Sequence, residues 1–298
     1  MSKKKIIIIS VIAAVIVLGI AVAVNHYVYE HKIRYTQFKI PYLHQKNTSL
    51  NNMSKSETGD IIVFGTYEQD NDISNGKESI EWIVLSNNGS ELFVVSKYGL
   101  DSKDSYKFKS RYDFDQAYYK ECDTWEKCYL REWLNNDFYE EAFNALERTF
   151  IKTTYVVNND NLEYGTKGGN DTWDKVFLLS IEEATNPYYG FKDYNTWDEA
   201  RGCAPTAYAV QTKHVHVDRE WHRTADGYAT CMWWLRSPGR VSSWPSATGY
   251  REVTEIAKGV DTKIDITGQS TSGYIAVRPA MVIDLEMYKD TPFYDAGE

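Results

Sequence analysis

The sequence predicts an α+β domain behind one N-terminal apolar segment, and three observations carry that expectation. Short apolar runs with alternating polar residues, bounded by Gly and Asn, read as β-strands. Aromatic residues recur at spacing three and four over 125–150, which reads as helix. No fixed-period repeat and no regular strand–helix alternation is present, so short strands mixed with a few short helices remain.

In order, Lys3-Lys4-Lys5 closes a short tail (1–5) expected to be cytoplasmic. Ile6 to Val24 is a predominantly apolar run of nineteen residues, about 28 Å long as a helix and so matched to a bilayer core. Tyr27 and Tyr29 fall where an interfacial aromatic belt would lie. A signal anchor is the expectation. Ala21-Val22-Ala23 leaves open a cleaved signal peptide, with secretion after Ala23. Either way the rest of the chain is expected outside the cell membrane. Residues 25–56 are polar and read as a spacer, 57–286 as the globular domain, and 287–298 as a C-terminal tail.

Within the domain, Gly59 to Gly65 encloses a strand. Glu81–Leu85 and Leu92–Ser96 flank Asn87-Asn88-Gly89-Ser90, a hairpin signal. Residues 101–120 are charged and Tyr-rich without a period, predicting a loop. One helix is expected after Asp123 or Thr124, with Trp125, Cys128, Trp133 and Leu134 inward. A second is expected through Phe143, Leu146 and Phe150. Thr153–Val157 and Val176–Leu179 read as strands, and Ser180/Glu183 and Thr196/Glu199 as capping boxes. The glycine-rich stretch Tyr164–Asp171 lacks the Gly-Lys-Ser/Thr ending of a phosphate loop.

A formal charge of −9 argues against nucleic acid as a partner. The 23 Tyr and 9 Trp supply rings with a polar handle, suited to cores and to wet binding surfaces alike. Cys122, Cys128, Cys203 and Cys231 all lie in the exported part, where disulfides are allowed in three connectivities. No Cys-x2-Cys pair suggests a zinc ribbon, and Cys128 on an apolar helix face also suits a free thiol. His214, His216 and Asp218 would share one face of a strand, with His222 near, which makes a candidate for a metal-dependent hydrolase. Asp70, Asp72 and Ser74, with Glu81 eleven residues after Asp70, approach a calcium loop. The glycine falls one position late, and Glu81 opens a strand rather than a helix.

The C-terminal third has its own logic. Trp233-Trp234-Leu235-Arg236-Ser237-Pro238-Gly239 and Ala276-Val277-Arg278-Pro279-Ala280-Met281-Val282-Ile283 read as buried strands, each with one embedded Arg. A buried guanidinium must be paired, so Arg236 and Arg278, with Trp233, are assigned structural roles. Between the strands runs a polar excursion, 240–275, carrying Arg240, Trp244, Tyr250, Arg251 and Tyr274. Rings stack on sugars and Arg gives directional hydrogen bonds, so these five are the candidate ligand contacts.

Several segments together resemble a bacterial domain family of unknown function. They include Gly59-Asp60, Tyr67-Glu68-Gln69-Asp70, Glu81-Trp82, Thr124-Trp125-Glu126, Trp133-Leu134-Asn135, Pro205-Thr206-Ala207-Tyr208-Ala209 and the two Arg-bearing strands. That family is similar to the C-type-lectin-like fold, in the branch of the formylglycine-generating enzymes. The resemblance implies two helices, a small twisted and mostly antiparallel sheet, and a long loop region before the last strand that binds sugars or proteins, sometimes with calcium. The paired-cysteine copper site of the formylglycine-generating enzymes is not carried over, since only Cys231 lies near the corresponding part. The functional expectation is a membrane-anchored module that binds an extracellular glycan or protein. The alternatives are the histidine-cluster hydrolase and a non-catalytic cell-envelope assembly protein.

Overall fold

The computed structural model describes residues 53–103, 124–193, 198–217, 224, 227–239, 245–248, 264–265 and 275–289. The predicted anchor 6–24 lies outside them, and among the described residues no helix is long and apolar enough to cross a membrane. The chain folds as α+β, with a few short helices and mostly antiparallel sheets.

β1 (Ile61–Tyr67), β2 (Glu78–Asn87) and β3 (Glu91–Ser96) form an antiparallel meander. Apolar residues alternate inward along it: Ile62 and Phe64, then Ile80, Trp82 and Val84. The β2–β3 turn is closed by asparagines. Asn87 Oδ1 accepts from the Gly89 N–H, and Asn88 Oδ1 accepts from the Ser90 and Glu91 N–H groups. β1 has a bulge between Val63 and Thr66, where Gly65 takes φ 72°. A Cβ there would lie 2.6 Å from the Phe143 ring and 2.8 Å from the Ala142 carbonyl, so only glycine fits.

The polar run that begins at Asp101 starts as a strand rather than a loop. β4 (Tyr98–Gly99) and β5 (Asp101–Ser102) are short and buried, and residues 104–123 are outside the described set. Polar composition hid β5, because both its side chains are satisfied internally. Asp101 Oδ2 accepts from the Tyr67 hydroxyl at 2.6 Å, and Ser102 Oγ donates to the Ile275 carbonyl.

A 3-10 turn (Trp125–Lys127) leads into α1 (Tyr129–Trp133), a π-helical turn (Leu134–Phe138) and α2 (Tyr139–Ala142). Asn135 on the π turn reaches sideways, donating to the Val176 carbonyl and accepting from the Lys175 N–H. Trp125 Nε1 and Arg131 Nε both donate to the buried Asp174 carboxylate. The expected second helix is shorter than its aromatic stripe. Phe143 is extended (φ −125°), and only α3 (Glu147–Phe150) is helical. Asn144 and Glu147 stop the chain there with a reciprocal cap: Glu147 Oε2 accepts the Asn144 N–H, and Asn144 Oδ1 accepts the Glu147 N–H. Phe143 is nonetheless core, 5.6 Å from the Phe64 ring and 6.2 Å from that of Trp82.

Next come β6 (Thr154–Val156), β7 (Thr172–Asp174), β8 (Val176–Phe177), β9 (Ala204–Pro205) and α4 (Ala207–Gln211). The last part comprises β10 (Trp233–Pro238), β11 (Pro245–Thr248), β12 (Ile264–Asp265), β13 (Ala276–Val277), β14 (Ala280–Asp284) and α5 (Leu285–Lys289). Ser180 and Glu183 form the expected capping box, while Thr196 lies outside the described residues and Asp198 caps the turn at Glu199–Arg201. One five-stranded sheet has the order β1-β2-β3-β14-β8, the other β12-β11-β10-β13-β5. Two-stranded pairs β4-β9 and β6-β7 complete the set.

Burial pushes the Asp101 carboxyl above its ordinary value of 3.8; Lys103, the Tyr67 hydroxyl, Lys213 and the Ser102 N–H oppose the rise without cancelling it. The folded state therefore holds this proton more tightly than the unfolded chain. That contribution is full below 3.8 and is lost as pH climbs through the raised folded value. In thermal melts across mildly acidic pH, Asp101→Asn is expected to remove this downward slope of Tm with pH. An unchanged slope would assign it to another group.

Candidate functional site

β10 and β13 lie side by side, paired in parallel at Trp233 and Ala276, with the Ala276 N–H donating to the Met232 carbonyl at 2.8 Å. Both strands are wholly buried. Trp233 and Trp234 are each 0% exposed, so both faces of β10 are core rather than one. The chain leaves this framework after Gly239 and re-enters it at Ile275. Inside the excursion, β11 pairs with β10 and β12 with β11, extending the same sheet outward from the framework. Arg240, Trp244, Tyr250, Arg251 and Tyr274 lie outside the described residues.

Arg236 pins the exit. It grips both oxygens of Glu183, Nη2 reaching Oε1 at 2.8 Å, and donates to the carbonyls of Leu178 and Val157. Its backbone N–H donates to Leu179, and the neighbouring Ser237 hydroxyl accepts from the Ile181 N–H. Asn161, beside the glycine-rich loop, donates to the Pro238 carbonyl at the strand's end. The loop thus buttresses the framework and has no phosphate-cradle geometry to explain.

Arg278 pins the re-entry and is fully buried. Nε donates to Ser96 O at 2.8 Å, Nη1 to Arg201 O at 3.4 Å, and the guanidinium stacks over Trp233 at 4.8 Å. Nη2 has no hydrogen-bond partner, and no carboxylate ion-pairs with Arg278 among the described residues. Two sulfurs lie close to it. Cys203 and Cys231 are buried beside it, joined through Cys231 N–H to Cys203 O at 2.8 Å. Burial pushes the Cys203 thiol up, but the Cys231 S–H bond, the Arg278 charge and the Gly99 N–H outweigh it and leave it below its ordinary range. The Cys231 thiol moves the opposite way, raised by burial and by Cys203. Gly99 makes room: a Cβ there would lie 2.6 Å from the Ala276 Cβ and 3.4 Å and 3.7 Å from the two sulfurs. No disulfide joins Cys203 to Cys231, and Cys122 lies outside the described residues. Sequence reading missed this pair because the two cysteines are far apart along the chain and share no motif.

The other sequence candidates are only partly assembled. His214 and His216 are both exposed, either side of buried Val215, with His214 at φ 60°. Asp218 and His222 lie outside the described residues. In the calcium set, Asp72 Oδ1 accepts from Ser74 N and Oγ, and Glu81 pairs with Lys97 at 3.2 Å. The carboxylates gathered around Asp70 are instead those of Glu68 and Glu78. Only Asp70 of the four predicted residues belongs to that cluster. Glu68 stood in the sequence within Tyr67-Glu68-Gln69-Asp70, but at the end of a strand nothing local marked its side chain as turning inward.

Residues 81–285 match the model of a domain of unknown function, DUF6273. The match covers Arg236, Arg278 and both buried cysteines but begins after the Glu68–Glu78 loop. No curated protein and no solved structure matches the chain. By the span of the match, this chain belongs to the DUF6273 family.

Proposed function

We propose that the chain is a membrane-anchored, extracytoplasmic binding module of the C-type-lectin-like kind that takes a glycan or protein ligand on the region 240–275. The observation that supports this reading best is the pairing of β10 with β13 in the buried sheet. An excursion whose two ends are fixed on one rigid framework loses little further order when its tip engages a target, which favours affinity. The arginine clamps serve that purpose: Arg236 ties the exit to two segments, at Val157 and at Leu178–Glu183, and Arg278 ties the re-entry to two more. The Ile6–Val24 run supplies the anchor and 25–56 the spacer. A glycan-array screen of the purified full chain, with calcium and with chelator, tests the ligand class. Selective binding that Trp244→Ala or Tyr250→Ala lowers about tenfold, with Tm unchanged, is the expected result, about 1.4 kcal/mol of contact. Binding that survives both substitutions would move the site elsewhere. Silence on glycans, followed by capture of a single envelope protein by cross-linking at position 244, would select the protein ligand.

A further inference from the structure

We propose that the β1–β2 connection binds a hard divalent cation, calcium foremost, between the carboxylates of Glu68, Asp70 and Glu78. One oxygen from each lies within 4.8 Å of the others. An acidic cluster alone would mean little, but Glu68 is not a surface residue. It is 7% exposed, and its Oε1 is buried with no hydrogen-bond partner, while the Asn71 and Asp72 N–H groups act on the carboxylate as a whole. A carboxylate oxygen withdrawn from water without a donor is costly, and two neighbouring carboxylates add like-charge repulsion. A cation answers both penalties at once, and no Lys or Arg ion-pairs with the three carboxylates among the described residues.

The surrounding loop holds the three groups in place. Glu78 Oε2 accepts the N–H groups of Gln69 at 2.6 Å and Asp70 at 3.2 Å. Asp70 accepts from Asp72 N–H and from Asn75 Nδ2. Asn71, left-handed at φ 67°, bonds to Gln211 and Thr212 at the end of α4, which ties the loop to the domain. Each carboxylate still has lone pairs to offer. All three donors are oxygen, which selects hard cations over zinc or copper. Calcium accepts an irregular oxygen shell, whereas magnesium demands near-octahedral geometry and gives up its waters reluctantly. Asp70 is exposed and Glu78 half-buried, so water can complete the shell.

The test uses the full chain stripped with chelator, then titrated with calcium or magnesium by calorimetry and by thermal shift. About one equivalent of calcium is expected to bind the β1–β2 loop and raise Tm, with magnesium weaker. Glu68→Gln is expected to weaken calcium binding at least about tenfold, the loss of one charged ligand, while its Tm without cation equals or exceeds that of the parent chain. Asp70→Asn, at an exposed position, gives the same loss by an independent route. No calcium response in the parent chain would overturn the proposal. So would a response that Glu68→Gln and Asp70→Asn both leave unchanged, which would mark calcium as bound elsewhere.

Discussion

Arg236→Met is expected to lower the free energy of unfolding by about 3–5 kcal/mol, the range for breaking a buried ion pair from one side. Methionine fills most of the volume, so a cavity is not the cause. The loss is electrostatic and polar: the Glu183 carboxylate is left without its guanidinium, and the Leu178 and Val157 carbonyls lose a donor. Urea denaturation of the full chain measures it. Glu183→Gln should cost less, because Arg236 keeps both carbonyls and one amide oxygen. The double variant Arg236→Met/Glu183→Leu should recover part of the loss, since it leaves neither charge stranded. A single-variant loss below about 1 kcal/mol would reduce the clamp to a solvent-screened surface pair.

The second large effect is expected at Cys203. Cys203→Ala removes one sulfur from a fully buried site packed beside Gly99 and Arg278, and it should cost about 1–3 kcal/mol. Arg278→Met should be severe in the parent chain and much milder in the Cys203→Ala background. A double-mutant cycle reads the coupling, expected between about 0.5 and 3 kcal/mol. Additive losses would mean that the Arg278 charge is met by carbonyls and the Trp233 ring alone.

These two clamps also show what the sequence reveals and what it hides. An Arg inside an apolar strand is visible at once, and the demand that it be paired follows from electrostatics alone. The identity of the partners does not follow, because Glu183, Ser96 and Arg201 are distant along the chain from the arginines they meet. The same division runs through the fold. β1 to β3 are legible because their side chains alternate and Asn-Gly marks the turn; the Ser180–Glu183 box is legible because both of its bonds are local. β5 is not, since its polar pair is stabilised by Tyr67 and Ile275. The aromatic stripe through Phe143 signals burial correctly and helix wrongly, because Asn144 and Glu147 stop the chain where periodicity would run on. In the acidic loop, spacing pointed to Asp72, Ser74 and Glu81, whereas strand ends brought Glu68 and Glu78 to Asp70.

Both five-stranded sheets share one dependence. β13 joins β10 to β5, and a few residues later β14 joins β3 to β8, so each sheet is divided until the last stretch of the domain arrives. A nascent chain lacking residues 276–284 can pair β1-β2-β3 and β10-β11-β12, but β8 and β5 have nothing to join them to these units. Closure of both sheets therefore waits for the last strands, and long-range closure of this kind is slow.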